Sequence, residues 1–191
     1  MKRSKKEHIL DVASKLFYKQ GIQATGVDQI VAESGVAKMT LYNHFPSKDD
    51  LVIAYLQRRD SIWRNWFEST VLEKGSTPKE RLIALFDVLE EWFLQSDFRG
   101  CSFINTAAEF TEPEHSFHQV SLEHKSFFKS FIKRLVEETE IQEVEELTNG
   151  LFLLTEGAIV TAMMEGNHKA AHHGSKTAQV LVDVYLKGAS K

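Results

Sequence analysis

Two short amphipathic patterns meet at Gly35, and few arrangements satisfy both. In Gly26–Phe45 the apolar residues Ile30, Val31, Val36 and Leu41 are spaced to pack one helix steeply across another around a tight turn. Glycine suits that turn because it takes positive φ without a steric penalty. The second pattern is polar where a helix entering a DNA groove would meet base edges. The segment therefore reads as a helix-turn-helix, with sequence-directed DNA binding as the leading expectation.

Periodicity outside this segment is helical as well. Ile9, Val12, Ala13, Leu16 and Phe17 form one apolar stripe that Gly21 stops. The second helix follows Thr25-Gly26 and ends near Ser34. The third runs from Lys38 to Phe45, where Pro46 disfavours helical geometry in the preceding residue. Ser47 caps a long fourth helix with Asp50 at its third position, and Gly75-Ser76 ends it. Thr77-Pro78-Lys79-Glu80 opens a fifth: cap, proline at the first position, glutamate at the third. Further helices are expected over 101–110, from about Pro113, over 143–165, and after a cap at Ser175. No segment has strand alternation with turn chemistry. The expected class is all-α with about nine helices: a three-helix DNA-binding domain over 1–48 and a larger helical ligand-binding and dimerisation domain over 49–191.

Composition narrows the function. The chain has 191 residues, three prolines, 42% hydrophobic residues and a net charge of −4. Residues 1–48 hold eight Lys/Arg against four Asp/Glu, and the remainder fifteen against twenty-three. A basic head on an acidic body fits a phosphate-binding module joined to an unrelated task, although Lys2, Arg3, Lys5 and Lys6 also read as a solvated tail. No run of 18 apolar residues occurs, so no membrane span is expected. The Lys-rich start lacks an apolar core, so no export signal is expected. The single cysteine, Cys101, excludes an internal disulfide and fits a reducing, cytoplasmic setting. No metal triad, nucleophile–base pair or phosphate-binding glycine loop marks an enzyme, and no cofactor is expected.

With Phe17-Tyr18-Lys19-Gln20-Gly21, the Val27–Gly35 helix and Leu41-Tyr42-Asn43-His44-Phe45-Pro46-Ser47-Lys48 in this order, the chain resembles the TetR (tetracycline-repressor-like) family of bacterial transcriptional regulators over residues 8–56. The resemblance implies a DNA-binding regulator, a repressor that a small effector releases from a palindromic operator in double-stranded DNA. It implies a phosphate contact by Thr25, groove contacts by Lys38, Met39, Thr40, Asn43 and His44, and phosphate contacts by Tyr42 and Lys48. The chemistry agrees: Lys38 and His44 can donate to guanine, Asn43 can pair with adenine, and Met39 or Thr40 can meet a thymine methyl. Ala37 departs from the family's usual serine, which caps the third helix and contacts phosphate.

The remaining candidates belong to the body. One helix-turn-helix reads one half-site, so a homodimer is expected. Residues 151–164 are apolar nearly all round, which calls for cover on two faces. Leu151, Leu154, Ala158, Ala162, Leu181 and Tyr185 are the candidate interface. Thirteen phenylalanines, with polar residues inside apolar faces, point to an apolar or aromatic effector held by Trp63, Phe67, Phe86, Phe103, Asn105, His124, Phe127, Phe128 and Glu156. Alternatives are electrophile sensing through Cys101 and a helical protein-interaction adaptor without DNA binding. His168, His172 and His173 invite a metal reading by spacing, but Gly166, Asn167 and Gly174 make an exposed interhelical loop the expectation, and no metal site is assigned.

Overall fold

The computed structural model describes residues 4–188, so Lys2 and Arg3 of the basic tail lie outside the described residues. Among the described residues there are nine helices and no strand: α1 Lys5–Gln20, α2 Val27–Ser34, α3 Lys38–His44, α4 Lys48–Lys74, α5 Pro78–Phe93, α6 Ser102–Glu109, α7 Ser116–Glu137, α8 Val144–Glu165 and α9 Lys169–Gly188.

The local signals act as their chemistry dictates. Ser4 and Glu7 form a reciprocal capping box at α1, as do Thr77 and Glu80 at α5. The Ser47 hydroxyl accepts from Asp50 N–H at 3.0 Å at the start of α4. Phe45 leaves helical geometry at φ −137°, immediately before Pro46.

Contacts group the chain into two compact units that do not follow a division at residue 48. The first comprises the chain up to Ile62 together with Ser102–His124; the second comprises Trp63–Cys101 and the chain from Lys125 onward. In the first, Ile9, Ala13, Leu16 and Phe17 of α1 are buried with Ile30, Leu41, Phe45, Leu51 and Tyr55. Arg58 ties α4 to α1 through Asp11 (2.7 Å), Ser14 Oγ (2.6 Å) and the Leu10 carbonyl (3.1 Å). A helix-turn-helix too small to supply its own core thus gains one from α4.

In the second unit α8 packs on α9, and α5 packs on both. α8 is, among the described residues, the one helix long and apolar enough to cross a bilayer by length and composition, despite lacking an 18-residue apolar run. Its Leu147, Leu151, Thr155, Ala158, Ile159 and Ala162 are buried inside the unit, and mid-helix Glu156 pairs with Lys125 of α7 at 2.8 Å.

The expected loop around the histidines is corrected. α9 begins at Lys169, whose N–H donates to Asn167 Oδ1 at 2.9 Å, and not at a cap on Ser175. His172 and His173 are therefore helical and exposed. Gly174 breaks nothing: a Cβ there would stand 2.6 Å from Phe86 Cε1, so it marks a close approach of α9 to α5. α7 begins at Ser116, three residues after Pro113.

Candidate nucleic-acid interface

Gly35 ends α2 in the left-handed region at φ +66°, ψ +16°, and its N–H donates to the Val31 carbonyl at 3.0 Å. That conformation is what a side chain would resist and glycine does not. The chain re-enters a helix after two intervening residues, with Ile30, Leu41 and Phe45 buried. His8 of α1 donates from Nε2 to the Ser34 carbonyl at 2.9 Å, fixing the end of α2.

Turning Leu41 inward leaves Lys38, Met39, Tyr42, Asn43 and His44 exposed, with Thr40 half-buried. Met39 is 72% exposed, an apolar side chain that α3 gives no partner within its own packing. A face that combines one cation, an amide, an imidazole, a hydroxyl and an apolar tip carries the donor, acceptor and methyl contacts that distinguish base pairs in a major groove.

Lys38 is paired with Asp28 of α2 at 2.7 Å, and both side chains are largely exposed. The hydrogen bond it donates to Asp28 holds the lysine above its ordinary pKa, so it stays charged. Lys48 is half-buried and donates to the Ile22 carbonyl at 2.7 Å; an ammonium has three donors, so two remain for a phosphate. Thr25 requires a correction. It is fully buried and its hydroxyl donates to the Gly21 carbonyl at 2.7 Å, so in this arrangement it orders the turn rather than reaching a phosphate. Neither the Asp28 pairing nor the burial of Thr25 had a sequence signal, because both depend on how the first three helices pack.

Ala37 is the N-cap of α3 and offers no side-chain hydrogen bond. An alanine cap costs about 1 kcal/mol relative to serine. Ala37→Ser is therefore expected to preorder α3 and tighten DNA binding about equally on specific and scrambled duplexes. Mobility-shift titration checks this, and unchanged or weaker binding contradicts it.

The candidate ligand residues fall into separate groups. In the second unit Trp63 stacks on Phe67 at 4.5 Å, and Phe128 meets both edge-on at 5.3 Å. Phe86 is taken up against Gly174. Phe127 is half-buried between the guanidinium groups of Arg64 (3.8 Å) and Arg134 (5.8 Å), and Glu156 is paired with Lys125. In the first unit Phe103 stacks on buried His124 at 3.8 Å, whose Nδ1 lies 2.6 Å from Asp60 Oδ1; Asn105 is half-buried on α6. Ser102, one residue before Phe103 and unremarked in the sequence, has a buried hydroxyl without a hydrogen-bond partner.

The dimer candidates need a correction too. Leu151, Ala158 and Ala162 are buried inside their own unit and cannot face a second copy; Leu154, Leu181 and Tyr185 are half-buried. The exposed apolar residues are instead Leu153, Val160 and Met164 on α8 and Val180 and Val184 on α9. The spacing 153, 160, 164 and 180, 184 follows helical periodicity, so each stripe is definable in the sequence, but which stripe the chain itself covers is not. Cys101 is buried immediately before α6. His172 and His173 have ring centroids 5.9 Å apart, and His168 lies 3.7 Å from Glu90; among the described residues no group of three or more His, Cys, Asp or Glu is arranged to hold a metal ion.

Comparison with known proteins covers both halves. Residues 9–55 match the sequence model of bacterial regulatory proteins, tetR family, and residues 78–178 that of the tetracyclin repressor-like C-terminal domain. The HTH-type transcriptional regulator YjdC of Escherichia coli is 24% identical over 157 residues, 81% of each chain. LmrA, an HTH-type transcriptional regulator of Bacillus subtilis, is 27% identical over 175 residues, 88% of this chain and 91% of its own. The crystal structure of SCO4454, a TetR-family transcriptional regulator from Streptomyces coelicolor, superposes with a TM-score of 0.83 at 27% identity, covering 98% of this chain and 96% of that one. With its helix-turn-helix and its helical body both matched, this chain belongs to the TetR family, whose members are DNA-binding transcriptional regulators and not enzymes.

Proposed function

We infer that the protein is a cytoplasmic homodimeric repressor that holds a palindromic operator and leaves it when a small apolar or aromatic molecule binds the body. The observation that carries the DNA part is the exposed α3 face, Lys38, Met39, Tyr42, Asn43 and His44, mounted on buried Leu41 and Phe45. Lys38, Met39, Thr40, Asn43 and His44 read base edges, while Tyr42 and Lys48 position the protein on phosphates. Two half-sites centred about 34–36 Å apart follow if a two-fold axis relates the copies. The apolar stripe on α8 and α9 supports that axis, because a self-complementary patch is what a two-fold interface needs.

For the effector, the supporting observations are the Trp63, Phe67 and Phe128 rings in one unit and, in the other, Phe103 stacked on His124 and, on the same helix as Phe103, the unsatisfied Ser102 hydroxyl. A buried hydroxyl without a partner costs free energy that a ligand's polar atom would recover. Release requires that the ligand bind the DNA-incompetent state better; a preference of about 1.4 kcal/mol shifts the equilibrium roughly tenfold.

The test is selection of genomic DNA fragments by the purified protein across a salt series. A palindrome recovered with affinity that falls steeply as salt rises supports the reading. Recovery of unrelated fragments refutes it and favours a protein-interaction adaptor.

A further inference from the structure

The turn between α1 and α2 is held by a carboxylate from 87 residues away. Ile22 N–H donates to Glu109 Oε1 at 3.1 Å and Gln23 N–H to Oε2 at 2.7 Å, while the Gln23 side-chain amide donates to the Glu109 carbonyl at 2.6 Å. On the other side of the same residue, the Ile22 carbonyl accepts from Lys48 Nζ at 2.7 Å. The Gly21 carbonyl accepts the Thr25 hydroxyl, also at 2.7 Å. Ile22 is thus gripped through its N–H by an anion and through its carbonyl by a cation. Gly21 adopts φ +94°, and a Cβ there would meet Glu109 Oε1 at 3.0 Å, so the carboxylate sits directly against the turn.

Glu109 is the last residue of α6. The negative end of a helix is where a carboxylate is least favoured, so stabilising α6 does not account for an acid in this place. The two charge-assisted bonds to Ile22 and Gln23 compensate that placement. Their effect falls on the turn that precedes α2 and on Lys48, which opens α4. We propose that Glu109 is a positioning residue for DNA binding: through Ile22 it orders the 21–23 turn and sets the Lys48 ammonium where it meets a backbone phosphate. This rests on the DNA-binding reading above and names a residue outside the helix-turn-helix on which that reading depends.

The experiment uses full-length protein and the duplex recovered by the selection. Glu109→Ala is expected to weaken binding on the order of tenfold, and Glu109→Gln, which keeps one acceptor oxygen, to weaken it less. Because the effect runs through Lys48, the double variant Glu109→Ala/Lys48→Met should bind no worse than Lys48→Met alone. A merely structural role predicts a lower melting temperature with unchanged affinity of the folded protein, or losses that add. Either result overturns the proposal, as does wild-type affinity in Glu109→Ala. Hydrogen exchange without DNA isolates the clamp from the DNA reading. The Ile22 and Gln23 amides should exchange faster in Glu109→Ala, and unchanged rates overturn the clamp even if no operator is recovered.

Discussion

An aspartate at Leu153 or Val180 is expected to dissociate the dimer and reduce operator affinity roughly a hundredfold or more, since the gain from joining two half-sites is of that order. Leu153 is 69% exposed and Val180 63%. Each belongs to a stripe that also includes Val160, Met164 and Val184, so the exposed apolar surface runs along both α8 and α9. Scattered single apolar residues on a surface need no explanation, but helically spaced sets on two neighbouring packed helices do. At a two-fold interface every substitution enters twice. An unpaired carboxylate would then be desolvated on both sides of the axis. Sedimentation equilibrium gives the assembly state, and anisotropy titration gives the affinity. Leu122→Asp is the control, because Leu122 is also exposed but lies on α7 and belongs to neither stripe. A dimer that survives both substitutions, or one that Leu122→Asp breaks equally well, places the interface elsewhere.

What was legible in the sequence was what is decided within a few residues. The Thr77–Glu80 capping box, the Gly35 turn and the Ile9–Phe17 stripe act through neighbours on the same helix or turn, and the structure has them. The polar face of α3 was legible for the same reason: burial of Leu41 fixes the direction of every other residue on a seven-residue helix. The failures share one physical cause. Thr25, Leu151, Ala158 and Ala162 have ordinary side chains whose exposure is set by tertiary packing and not by their own helix or turn. Periodicity shows that α8 is apolar on two sides, but not which side its own chain covers. Glu109 falls in the helix expected over 101–110 with nothing local to single it out, and only the fold brings it to Ile22.

Gly174 is the sharpest of these cases, because two local arguments predict opposite signs for Gly174→Ala. On helix propensity the substitution should stabilise α9 by about 0.8–1.0 kcal/mol, since glycine is the poorest interior residue after proline. Gly174 has no positive φ to protect. Packing says the reverse. The added Cβ would lie 2.6 and 2.7 Å from Phe86 Cε1 and Cδ1, and Phe86 is a buried ring. Overpacking a filled core costs about 1–3 kcal/mol, occasionally more, and the overlap here is with a rigid aromatic rather than a flexible tip. Packing is expected to win, giving a net loss of up to about 2 kcal/mol, the balance of the two. At about 2–4 °C per kcal/mol for a chain of this size, the melting temperature should fall by several degrees at fixed protein concentration. Phe86→Leu, which trims the ring, should relieve part of that loss in the Gly174→Ala background while destabilising the wild type, a coupling between the two sites that distance alone would not produce. The consequence reaches function because α9 carries Val180 and Val184: pushing its first turns off α5 shifts the stripe and weakens the dimer together with the fold. A rise in melting temperature for Gly174→Ala would show that the helices can separate without loss, and that this glycine is only a poor helix former.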